Sequence, residues 1–135
     1  MANTTIESMF THLEFLGYSI TRDEEDTSAF AIHESHLNMS LRELAGGVLF
    51  NTRFNSINKA KEEMTKYLES INEMNVNALV IRAFGYEDDG ELSLHIEAWY
   101  PNQYDRVNFG NFIDAVNRDI RNLLNPDTDI YPYIE

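Results

Sequence analysis

The groups in this chain that could do chemistry are four histidines and two runs of carboxylates. His33-Glu34-Ser35-His36 has the outline of a zinc-protease site, but that site needs two residues between the glutamate and the second histidine, and a helix to carry them. A spacing of three in a β-rich stretch instead sends His33 and His36 to opposite faces of a strand. His95 and Glu97 share one strand face and could form half of a metal site, yet no third ligand is identifiable, and the pair reads as structural or surface polarity. Glu87-Asp88-Asp89-Gly90-Glu91 is too short for a helix-loop-helix calcium loop and joins two strands, so it reads as a solvated hairpin turn. Asp23-Glu24-Glu25-Asp26 reads as a solvated loop.

No glycine-rich phosphate loop, nucleophile elbow or marked carboxylate pair occurs, and Gly46-Gly47 reads as a turn. The 135 residues include no cysteine, which removes thiol catalysis, disulfides and cysteine-based zinc sites. The expectation is a protein that is not an enzyme and takes no cofactor or metal.

The formal net charge of −13 opposes binding to nucleic acid or to an anionic membrane surface, both of which need clustered Lys and Arg. The beginning of the chain, MANTTIESMF, has no basic segment followed by an apolar run, and no stretch reaches the ~20 apolar residues of a membrane helix. These features predict a cytoplasmic protein. Its length and its hydrophobic share of 43% suit one domain over residues 1–135.

The elements that must position these groups follow from periodicity. Thr4-Thr5-Ile6-Glu7 has the form of a capping box. Ile6, Met9, Phe10 and Leu13 then recur at helical spacing until Gly17 ends a first helix. Tyr18–Arg22 can be extended. Ala29–Ile32, the alternation of Leu37, Met39 and Leu41, and that of Val48, Phe50, Thr52 and Phe54 predict three antiparallel strands. Asn55-Ser56 is placed to cap a middle helix with a stripe of Met64, Tyr67, Leu68, Ile71 and Met74, ending at Asn75–Asn77. Two strands follow, over Leu79–Tyr86 and Glu91–Tyr100, with Gly90 permitting a tight turn. Asp105 can cap a third helix, with Phe109, Phe112, Ile113, Val116, Ile120 and Leu123 along one side and Asn125-Pro126 after it. Ile130, Tyr131, Tyr133 and Ile134 predict a tail that docks on its own domain or on a partner.

The order α-βββ-α-ββ-α predicts an α+β domain with helices packed on a mainly antiparallel sheet. It resembles the fold of class I type III secretion chaperones. It is more closely similar to the bacterial YbjN-type family of sensory transduction regulators, which shares that fold. The segment 78-ALVIRAFGYEDDGELSLHIEAWYP-101 carries the resemblance, with the helix after it, the helix ending at Gly17-Tyr18 and the strand Leu49–Phe54. The resemblance implies no catalysis. Secretion chaperones of this fold are acidic homodimers that wrap an unfolded client.

Ser93, His95, Glu97 and Trp99 share the strand face opposite Leu92, Leu94, Ile96 and Ala98. Arg82, Phe84 and Tyr86 can extend that face. A tryptophan there is either a binding anchor or the edge of the core. The middle-helix residues Met64, Tyr67 and Ile71 are either core or an adaptable interface. The resulting expectation is a homodimeric protein-binding module, chaperone-like or regulatory. It would contact a protein or peptide client through Arg82, Phe84, Tyr86, Trp99, Met64, Tyr67 and Ile71, with its acidic surface selecting basic clients. The alternatives are a small-ligand sensor with a pocket between sheet and helices, and an acidic inhibitor or immunity-type protein.

Overall fold

The computed structural model describes residues 4–22 and 28–135; the acidic run 23–26 and the side chain of Thr4 lie outside what is described. The elements are α1 (Thr4–Phe15), β1 (Ser19–Arg22), β2 (Ala29–Ile32), β3 (Met39–Leu44), β4 (Gly47–Asn55), α2 (Asn58–Glu62), α3 (Met64–Asn77), β5 (Arg82–Asp88), β6 (Glu91–Pro101), α4 (Arg106–Leu123) and a final 3-10 turn, Tyr131–Tyr133. All strands join one sheet in the order β1-β2-β3-β4-β6-β5, and each neighbouring pair is antiparallel. The α+β class read from the sequence is the observed one. Four strands rather than three precede the middle helices, because Ser19–Arg22 pairs fully with β2 as an edge strand.

Alternation along the strands puts one sheet face under the helices. Ala29, Ala31, Met39, Leu41, Val48, Phe50, Ala83, Leu92, Leu94, Ile96, Ala98 and Tyr100 are buried there. Against them α1 lays Ile6, Met9, Phe10 and Leu13, and α4 lays Phe109, Ile113, Val116 and Leu123. Phe50, Tyr100, Phe109 and Phe112 interlock at this seam, with ring centroids 4.8–6.4 Å apart. Gly17 ends α1 with φ 101°, and Asp105 caps α4 by accepting from the Asn108 amide at 3.0 Å.

The middle helix departs from the sequence reading. It is broken at Glu63, whose backbone leaves helical geometry and whose carboxylate accepts from Tyr133 at 3.0 Å. Neither Asn55 nor Ser56 caps it. The Asn55 carbonyl accepts from the Glu135 amide, and the Ser56 hydroxyl pairs with the Tyr67 hydroxyl at 2.8 Å. α3 ends at Asn77, within the expected Asn75–Asn77, but Asn75 has another task. Its side-chain amide donates to the Ala83 carbonyl (2.9 Å) and accepts from the Ala83 amide (2.8 Å), tying the helix to β5. The tail docks on its own domain: Ile130 and Tyr133 are buried, and Ile134 bridges to Ser56.

Strand β5 begins three residues later than expected because its lead-in is used elsewhere. The amides of Leu79, Val80 and Ile81 point at the carboxylate of Asp119 on α4, which accepts from all three at 2.8–3.0 Å and is itself 2% exposed. Three successive amides on one anion form a closed turn rather than a ladder.

Candidate functional site

Among the described residues, the other face of the sheet carries no helix. Cross-strand register sets its rows: Thr21-Phe30-Ser40-Asn51-Glu97-Arg82 is one, and Arg53-His95-Phe84 and Asn55-Ser93-Tyr86 run beside it. Arg42-Leu49-Trp99 forms a further row. Phe30, Ile32, Tyr86 and Trp99 are 45–54% exposed on this face, a density of large apolar groups that a solvated sheet face does not need.

At its centre lies a chain of hydrogen bonds across three strands. Arg82 donates to Glu97 Oε1 at 2.6 Å, and Glu97 Oε2 accepts from Asn51 Nδ2 at 3.1 Å. The same Asn51 nitrogen meets His95 Nδ1 at 3.3 Å, and His95 Nε2 meets Ser93 Oγ at 3.1 Å. Ser93 Oγ in turn donates to the Tyr86 carbonyl at 3.4 Å. The His95 ring stacks on Phe84 with an interplanar angle of 7° and takes Tyr86 edge-on. Burial holds the His95 pKa below its ordinary value, with Arg53 reinforcing and Glu97 opposing.

The polarity of this chain bears on its chemistry. Glu97 fixes the Asn51 amide with its nitrogen toward His95, so Nδ1 accepts and Nε2 carries the proton that goes to Ser93. A serine nucleophile needs the reverse, a bare Nε2 to take its proton and a carboxylate or carbonyl on Nδ1–H. The arrangement holds three strands and two aromatic rings in place rather than activating a hydroxyl. Glu97 is committed to Arg82 and Asn51, and among the described residues no three histidine, aspartate or glutamate side chains converge on a metal position.

Trp99 is fixed as well as exposed. Its indole Nε1–H donates to the Leu44 carbonyl at 2.8 Å. The ring crosses Gly47, where a Cβ would stand 2.4 Å from two indole carbons, so only glycine admits it.

Of the partner residues read from the sequence, Arg82, Phe84, Tyr86 and Trp99 come together on this face. Tyr67 and Ile71 do not: they are 0% and 6% exposed, packed in the domain's own core with Tyr133 and Gly85, and offer nothing to a partner. Met64 is half-buried beside that core. His33 and His36 are not split across a strand. Both lie in the β2–β3 connection with ring centroids 4.5 Å apart, His33 receiving the Ser35 and His36 amides on Nδ1 and meeting the Leu16 carbonyl through Nε2. Such a connection breaks the period of two that the sequence reading assumed. The gap between the sheet and α4, bordered by Met39, Phe50, Ile96 and Ile120, amounts to about 10 Å³, too small for a ligand at that point. Phe30 and Arg53, absent from the sequence reading, border a shallow hollow on the open face with His95; strand register is the signal that would have placed them.

The chain matches no protein-family model, and no curated protein matches it in sequence. Its fold is that of a solved structure, YbjN from E. coli, provisionally described as a transcription regulator. The TM-score is 0.71 over 96% of this chain and 95% of that one, at 12% sequence identity. The YbjN-type fold is therefore shared.

Proposed function

We propose that this chain is a non-enzymatic, cytoplasmic protein-binding module, regulatory or chaperone-like and homodimeric, whose working surface is the helix-free face of its sheet. The observation that carries this reading is the fixed exposure of Trp99 and Tyr86 beside a fully bonded polar centre. An anchor held rigid before binding loses little conformational entropy on contact. The polar chain from Arg82 to Ser93 is satisfied internally, so a partner need not supply its hydrogen bonds. The YbjN neighbour, described as a regulator, is in keeping with a binding role, and the net charge of −13 favours protein over DNA as the thing bound.

Light scattering on the purified protein gives the oligomeric state, and hydrogen exchange with and without captured polypeptide locates the contact. Protection of β4–β6 amides on capture is the expected result. A strict monomer that captures no polypeptide removes the reading's support. Among the described residues no helix is long and apolar enough to cross a membrane.

A further inference from the structure

The open face does not share the acidic balance of the chain. Ten Lys and Arg residues stand against 23 Asp and Glu, yet three of the ten, Arg42, Arg53 and Arg82, project from this one face. The carboxylate among them, Glu97, is buried and neutralised by Arg82. Asp88 and Glu91, at the hairpin tip beyond Tyr86, and Glu135, whose amide donates to the Asn55 carbonyl, are the nearest other carboxylates. Arg42 and Arg53 are exposed and have no ion-pair partner among the described residues.

We propose, resting on the reading of this face as the docking surface, that its occupant is an acidic polypeptide segment carrying apolar or aromatic side chains between its carboxylates. Register puts Arg42 opposite Leu49, and Arg53 four residues further along β4, so the two arginines are about 14 Å apart at ordinary strand spacing. An extended peptide rises about 3.4 Å per residue and turns alternate side chains to one side. Carboxylates at positions i and i+4 therefore meet Arg53 and Arg42, and the residue at i+2 falls over the Ser40–Asn51 row between them, whose exposed apolar member is Phe30. Each guanidinium can take a carboxylate through two parallel N–H donors, a geometry that Lys would not reproduce. The basic client expected from net charge alone would meet like charge here. So would a face-to-face dimer, which would set the two copies' arginines against one another.

The test uses the full chain and its single tryptophan, Trp99, as the reporter. The probe is a 12-residue peptide with Glu at i and i+4 and Phe at i+2. It is compared with the same peptide bearing Lys for Glu, and with a 12-nucleotide oligo-dT. A titratable change in Trp99 emission with the Glu peptide is expected, weakened at least tenfold in R42E/R53E. It should be unchanged in R118E/R121E, which alters net charge equally on α4 and away from the sheet. Salt should weaken the binding. Equal binding of the Lys peptide overturns the charge assignment while leaving the face as a docking surface. Preferential binding of oligo-dT overturns it in favour of nucleic acid. If no probe moves Trp99 and captured polypeptide protects other amides, the docking face itself is wrong.

Discussion

Replacing Asp119 with Ala should be among the most damaging single changes in this protein, although Asp119 touches nothing on the open face. Its carboxylate is the acceptor for the amides of Leu79, Val80 and Ile81. Water can reach the first two once the carboxylate is gone, since Leu79 and Val80 are exposed; Ile81 is buried, and its amide would be left without a partner. A buried orphan donor costs about 1–3 kcal/mol and each of the two rehydrated bonds about 0.5–1.5 kcal/mol, so Asp119→Ala should lose about 2–6 kcal/mol. For a chain of this size that lowers Tm by ~6–24 °C. Asp119→Asn keeps one acceptor oxygen but turns an NH2 group toward N–H donors, and should fall between the two. Urea unfolding followed by Trp99 fluorescence and by circular dichroism measures both variants. Amide exchange at Ile81 should accelerate in step. Asp114→Ala, an exposed position on the same helix, serves as the comparison and should stay within about 0.5 kcal/mol of the parent. A loss below about 1 kcal/mol for Asp119→Ala would refute the claim that this carboxylate holds the entry to β5.

Gly47→Ala should cost at least about 1–3 kcal/mol and shift Trp99 emission to the red, because the new methyl meets both the indole and the Tyr100 carbonyl oxygen and displaces the ring from the Leu44 carbonyl; a variant with unchanged emission would contradict the crossing geometry. Gly90→Ala should cost about 1–2 kcal/mol through backbone conformation alone, since φ is 78° and nothing lies within 4 Å of the added carbon; thermal melts of the two glycine variants separate these causes. Burial, the first cause in each case, lowers the pKa of His12, His36 and His95 below 6.5, so the unfolded chain binds more protons and stability should fall as pH drops from about 6.5. His95→Gln should flatten that pH slope of the urea midpoint, and an unchanged slope would argue against a neutral His95 in the Asn51–Ser93 chain.

Where one side of an element faces the core and the other faces water, the sequence was readable. The stripes of α1 and α4, the alternation of β6 and the roles of Gly17, Gly90 and Asp105 all follow from local spacing, and the structure repeats them. What local spacing does not carry is the choice of a distant partner. Nothing in the α4 pattern distinguishes Asp119 from Asp114, yet one is sealed against three amides about 40 positions earlier and the other faces water. The break at Glu63 depends on Tyr133 in the same way. For the candidate site, Arg82, Phe84, Tyr86 and Trp99 could be grouped by alternation within a hairpin. Adding Arg42, Arg53 and Phe30 required strand register across a sheet whose order departs from chain order, and they bring to the face two cations unpaired among the described residues. Tyr67 and Ile71 looked like interface because a helical stripe is the same whether it meets its own sheet or another chain.

That departure from chain order also shapes how the molecule is made. Strands β1 to β4 form a meander from consecutive segments, but β4 finds its second neighbour only in β6, pairing Gly47 with Pro101 and Asn55 with Ser93 after α2, α3 and β5 have intervened. During synthesis the nine residues of β4 therefore wait with one row of amides and carbonyls unpaired and Phe50 uncovered. The ordering of the β5–β6 hairpin, helped by the Asp89-Gly90 turn, is then the step that closes the sheet. A change that slows that hairpin would show less in equilibrium stability than in the yield of soluble chain, because an open central edge is where nascent copies would pair with each other.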